Sequence, residues 1–74
     1  MELVVFACVH NAGRSQMAAA LFNRGVRPGV ARAVSAGTQP GPAVYPEVRQ
    51  VMAEIGLDLL GATPQRLTPE LAAG

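Results

Sequence analysis

The chain has no lysine and no tryptophan, and only one cysteine, one histidine and one aspartate among its 74 residues. A lone cysteine, Cys8, excludes any disulfide within the chain and leaves the thiol for chemistry, which suits a reduced, cytoplasmic setting. One cysteine and one histidine, His10, are too few for a tetrahedral zinc site, so no metal is expected. The positive charge comes from six scattered arginines and the net charge is only +1. No basic run marks a nucleic-acid or membrane surface. The opening apolar stretch is far too short to span a bilayer, and Glu2 stands where a signal peptide needs basic residues. Half the residues are hydrophobic and 15% are charged, which argues for a packed fold and against disorder. At this length the chain is at most one small domain with little stability to spare.

Leu3 to Ala7 is a continuous β-rich run without alternation, as expected for a strand covered on both faces in a parallel sheet. A helix is expected from about Arg14 to Arg24, with Gly25 as its stop and Pro28-Gly29 in the turn that follows. Val30 to Ala36 reads as a second strand closed by Gly37, and Gln39-Pro40-Gly41-Pro42 as a loop. Val44, Val48, Val51, Met52 and Ile55 fall at i, i+4, i+7, i+8 and i+11, one face of a second helix. Pro46 suits its first position, and Gly56-Leu57 suits a left-handed cap. Leu57 to Thr63 shows no decided pattern. Thr68-Pro69-Glu70-Leu71 reads as a capped helical turn. The order is β-loop-α-β-α, the opening of an α/β fold. Two parallel strands alone would leave the first strand with an unpaired edge, so residues 1–74 are expected to be a single domain that is a fragment, a truncated reading frame or a chain needing a partner to cover that edge, the fragment being favoured.

Between the first strand and the first helix lies Cys8-Val9-His10-Asn11-Ala12-Gly13-Arg14-Ser15. A helix N-terminus presents unpaired N–H groups and the positive end of the helix dipole, and loop N–H groups can curl into a nest around an anion. Arg14 at the helix start can take two oxygens of a tetrahedral oxyanion with its planar fork. The same surroundings favour a reactive thiolate at Cys8, and Ser15 could donate a hydrogen bond to it. The candidate catalytic residues are therefore Cys8, Arg14 and Ser15. Val9, His10, Asn11, Ala12 and Gly13 form the anion-binding loop with Arg14. Asn11 suits a left-handed, loop-shaping position, and Gly13 allows close backbone approach. His10 reads as a rim residue rather than a general base, because adjacent loop residues usually point apart. Met17 and Met52 read as core, and Tyr45 as packing at a helix start.

Cys-x5-Arg-Ser in this context resembles the loop of the low-molecular-weight protein tyrosine phosphatases and of the arsenate reductases that share their fold. The run from Cys8 to Ala20, Ser35-Ala36-Gly37-Thr38, Val44-Tyr45-Pro46-Glu47-Val48 and Thr63-Pro64 to Leu71 are similar to the arsenate-reductase branch, in the same order. The resemblance covers the opening half of such a domain. It implies a small three-layer αβα domain with a parallel sheet. It also implies arsenate reduction, in which Cys8 attacks arsenate and a second thiol releases arsenite. Thioredoxin-coupled members use further cysteines of their own chain; here Gly13 occupies the place of the loop's second cysteine. The resemblance thus implies no bound cofactor but an external thiol reductant of mycothiol, glutathione or thioredoxin type. It leans toward the mycothiol members.

The alternative is phosphotyrosine hydrolysis through a cysteinyl-phosphate. The phosphatases place a general-acid aspartate in a later Asp-Pro loop; the chain contains no Asp-Pro, and Asp58 does not match that position. A third reading is a truncated, non-catalytic oxyanion-binding remnant, or a chain completed by another subunit. The expected partners are arsenate or phosphate and a redox thiol or thiol protein.

Overall fold

The computed structural model describes residues 2–27, 29–59 and 61–73, with side chains as far as Leu71. The elements run β1 (Glu2–Cys8), α1 (Arg14–Gly25), β2 (Ala31–Gly37), α2 (Pro46–Glu54) and α3 (Pro69–Ala73). Pro28 and Leu60, which fall in segments read above as turn and as undecided, lie outside the described residues.

β1 and β2 pair in parallel from Glu2 opposite Ala31 to Cys8 opposite Gly37. α1 is the crossover between them and packs on both strands, with Phe22 meeting Phe6 edge to face at 6.1 Å between centroids. The β-branched and aromatic residues of β1 suit this covered strand. Its side chains are nevertheless only half-buried from Leu3 to Phe6, and among the described residues β1 has β2 on one edge and no strand on the other.

The outer edge of β2 is closed by side chains and by the later chain. The Asn23 carboxamide donates to the Ala33 carbonyl at 2.8 Å and accepts from the Ala33 N–H at 2.7 Å. Gln65 Nε2 donates to Ser35 O, and residues 65–67 bridge Gly37 through Gly37 N to Gln65 O and Leu67 N to Gly37 O, both 2.8 Å. A strand edge so occupied offers little to another chain. The same contacts bring residues 63–67 beside the Cys8 loop.

The core joins Val44, Met52 and Leu59 with the half-buried Met17, Ala20, Val48, Leu57 and Ala62. Both methionines are thus packing residues. Pro46 opens α2, and Gly56 at φ +85° ends it, with Leu57 N donating to Met52 O at 2.9 Å. Arg24, in the last turn of α1, donates to Ile55 O. Thr68 Oγ1 caps the last helix by accepting from Leu71 N at 3.1 Å.

Three expectations are corrected. Val51 and Ile55 belong to the apolar stripe by spacing but are 53% and 45% exposed. α2 packs through Val48 and Met52, and the side chains of Val51 and Ile55 stay outside that core. α1 ends at Gly25, as expected, but runs one residue past Arg24 to include it; Val26 follows in extended conformation. The second strand begins at Ala31, one residue later than expected, because Val30 closes a turn with its N–H on Arg27 O.

Candidate active site

The loop from Cys8 to Gly13 turns its carbonyls outward. Cys8 O accepts from Thr38 N, Val9 O from Gln39 N, His10 O from Gly41 N, Ala12 O from Tyr45 N and Gly13 O from Met17 N, all within 3.0 Å. The remaining carbonyl, of Asn11, accepts from Gln16 Nε2 at 3.1 Å. With six consecutive carbonyls held this way, the N–H groups of Val9, His10, Ala12 and Gly13 make no hydrogen bond to another described residue. Segment 38–45 is the belt that imposes this orientation.

α1 begins where the loop ends. Its N-cap is Gly13, which supplies no side-chain acceptor, and its first turn contains no acidic residue. The free N–H groups and positive dipole end of this helix are therefore not neutralised by a neighbour in the first turn. Arg14, exposed at the first helical position, adds a cation to the same end. That position is unfavourable for an arginine unless an anion shares it.

An open cleft of about 180 Å³ is lined by every residue from Cys8 to Arg14 and by Tyr45. Cys8 Sγ, at the end of β1, accepts a hydrogen bond from Asn11 N at 3.0 Å and lies 2.8 Å from Ser15 Oγ. Ser15 is buried behind the sulfur and does not line the cleft. Asn11 is completely buried at φ +52°, the left-handed conformation read from its type. Its Nδ2 donates to Ser15 Oγ at 2.8 Å, and its Oδ1 accepts from Gln65 N at 2.9 Å and from Gln16 Nε2 at 3.2 Å.

The loop residues divide by depth. Ala12 is buried and Gly13 half-buried; Val9, His10 and Arg14 are exposed at the rim. The His10 ring makes no described hydrogen bond to Cys8, so the two do not form a base–nucleophile pair. Gly13 has φ −137°, so its freedom to adopt positive φ is unused, and a Cβ there would meet the Tyr45 ring at 3.4 Å. Asp58 lines a different cleft, with Arg49 and Leu57, and not the one over Cys8. Among the described residues, no three His, Cys, Asp or Glu side chains gather as a metal site.

Gln16, Gln65 and the 38–45 belt were not singled out from the sequence. Gln16 left one signal: a polar residue one place from Met17, on a helix whose buried face also contains Ala19. The roles of Gln65 and the belt depend on contacts across 54 and about 30 residues, which spacing does not reveal.

The sequence profile of the low molecular weight phosphotyrosine protein phosphatase family matches residues 3–74. The chain therefore belongs to that family. It is 39% identical over 70 residues to a Halobacterium salinarum protein named as a putative arsenate reductase, covering 88% of this chain and 49% of that one. The fold superimposes on the thioredoxin-dependent arsenate reductase of Corynebacterium glutamicum with a TM-score of 0.89 and 36% identity, over 97% of this chain and 36% of that one. An arginine phosphatase from Geobacillus stearothermophilus follows at TM-score 0.86 and 28% identity, over 99% of this chain and 47% of that one. The chain spans about half the length of the curated relative it matches. The β1-α1-β2-α2 order with a parallel sheet is the opening of this family's fold. No helix among the described residues is long and apolar enough to cross a membrane.

Proposed function

We propose that this chain carries the oxyanion site and nucleophile of an arsenate reductase. The observation that carries the reading is the seating of Cys8: its sulfur accepts from Asn11 N at 3.0 Å at the base of a cleft ringed by unpaired loop N–H groups. Arsenate binds with its oxygens on the N–H groups of Val9, His10, Ala12 and Gly13 and on the Arg14 guanidinium, which neutralise its charge and orient it for attack. The Cys8 thiolate forms a sulfur–arsenic bond, and one arsenate oxygen leaves as water after taking up protons. Ser15 holds the sulfur through its hydroxyl. A second thiol then attacks the Cys8 sulfur. The sulfur–arsenic bond breaks with its electron pair left on arsenic, so arsenic falls from +5 to +3 while the two sulfurs are oxidised to a disulfide.

The second thiol is not among these 74 residues, which contain only Cys8. It is a small thiol such as mycothiol or glutathione, or a cysteine of a thioredoxin-type partner or of chain beyond these residues. The likeness to a thioredoxin-dependent enzyme supports a thiol reductant, and such chemistry suits a reduced, cytoplasmic compartment. The reading takes residues 1–74 as one domain whose open β1 edge is completed by further strands.

Phosphatase chemistry is the second reading, favoured by the family itself and by the likeness to an arginine phosphatase. It would use the same loop and a cysteinyl-phosphate. Its leaving group would need a proton donor, which Asp58 in its separate cleft does not supply. The test supplies arsenate with glutathione, mycothiol, or thioredoxin and its reductase, and measures arsenite; parallel samples contain para-nitrophenyl phosphate. Arsenite formed by the chain and not by Cys8→Ser supports the reductase. Phosphate ester hydrolysis without arsenite overturns it in favour of the phosphatase.

A further inference from the structure

Gln16 is the one buried polar side chain beside the loop that the chemistry above leaves without a task. It lies in the first turn of α1, 7% exposed, and does not line the cleft over Cys8. Its Nε2 is 3.1 Å from Asn11 O, 3.2 Å from Asn11 Oδ1 and 3.3 Å from Thr63 O. The two backbone carbonyls can only accept, so the nitrogen of the Gln16 amide is the end that faces this group.

The direction of the neighbouring bonds then follows from donors and acceptors alone. Gln65 N–H can only donate, and it meets the Asn11 carboxamide at 2.9 Å, so the oxygen of that carboxamide faces it. Gln16 adds a second donor on the same oxygen. A flipped Asn11 amide would set its NH2 against two donors at once. With Oδ1 so held, Nδ2 must point to Ser15 Oγ at 2.8 Å. The Ser15 oxygen thereby accepts from Asn11, which leaves its own proton available to Cys8 Sγ, also 2.8 Å away. Cys8 Sγ accepts from Asn11 N as well. A thiolate, the form that attacks an electrophile, can accept both bonds.

We propose that Gln16 is a positioning residue for Cys8: by clasping Asn11 to Thr63 it fixes the direction of a buried hydrogen-bond chain that ends on the nucleophilic sulfur. The inference rests on the reading of Cys8 as nucleophile. It adds that the reactivity of this sulfur is set by a side chain that never meets the substrate.

The test is the rate of Cys8 alkylation by iodoacetamide at fixed neutral pH in Gln16→Met and Gln16→Glu, with circular dichroism to compare their fold with the parent. Met keeps the length without the donors, and Glu presents acceptors to acceptors. Both should react more slowly than the parent by about tenfold, the effect of losing one hydrogen bond to a charged group. A merely structural role predicts the opposite sign, because a loosened loop exposes the sulfur. Rates equal to or above the parent's overturn the proposal. A second arm needs no substitution. In the unaltered chain the Gln16 side-chain NH2 protons should give two separate NMR signals that exchange slowly with water; rapid exchange, as for an exposed glutamine, overturns the clasp. Neither arm uses arsenate. Arsenate protection of the parent with unchanged variant rates would sink this inference alone, whereas an unprotected parent would sink the reading beneath it.

Discussion

Gly37, the last residue of β2, approaches the Cys8 loop so closely that a Cβ on it would stand 2.5 Å from the carbonyl oxygen of Val9. The same Cβ would lie 3.0 Å from both Asn11 N and Asn11 Cβ. These are backbone and buried atoms, so the loop itself must move to admit a methyl group. Gly37→Ala should therefore destabilise the fold by about 1–3 kcal/mol, the usual cost of overpacking a tight site. It should also weaken oxyanion protection of Cys8, since Val9 and Asn11 flank the sulfur. Urea unfolding and alkylation of Cys8 in the presence of arsenate check the two effects.

Asn11 answers to several partners at once. Replacing it with alanine leaves the part-buried Gln65 N–H without its acceptor and the buried Ser15 Oγ with Cys8 Sγ alone. Each unsatisfied buried group costs about 1–3 kcal/mol. Alanine also tolerates φ +52° less well than asparagine. Asn11→Ala should lower stability by more than Gly37→Ala, and thermal melts of the two variants side by side decide the order.

Arg14→Lys keeps the charge and removes the fork. Lysine binds an oxyanion as a point charge, whereas arginine meets two oxygens together. The arsenate concentration giving half-protection of Cys8 should rise about tenfold, the equivalent of one hydrogen bond, with no change in the melting temperature because Arg14 is exposed. An unchanged half-protection point would remove Arg14 from the binding site.

Met52 tests the core independently of the loop. It is 1% exposed and joins Val44 and Leu59 beneath α2. Met52→Ala should cost about 2–5 kcal/mol, a large share of the stability of so small a domain. Val51→Ala, one residue away but 53% exposed, should change stability by less than about 0.5 kcal/mol. Equal losses would show that α2 buries the wider stripe suggested by its spacing.

Strand, loop and helix around Cys8 were legible because each leaves a local mark. Leu3 to Phe6 is an unbroken β-rich run, Asn11 takes the left-handed conformation its side chain tolerates, and Pro46 and Gly56 bracket α2 at its two ends. The 3.6-residue period over-read α2, because spacing tells which residues share a face but not how far a neighbour reaches across it. Val51 and Ile55 are the result. Least legible was what surrounds the loop. Thr38, Gln39, Gly41 and Tyr45 hold its carbonyls by backbone N–H groups, which every residue except proline has, so no residue type announces them. Gln65 likewise anchors Asn11 through its main chain.

The central claim is that these residues build an oxyanion site directly over the Cys8 sulfur. The most direct measurement is the rate of Cys8 alkylation by iodoacetamide, followed by mass spectrometry, as arsenate or phosphate is raised. The account predicts that both oxyanions slow the reaction in a saturable way, and that Arg14→Lys needs more of either. A rate that stays constant up to high oxyanion concentration would contradict it.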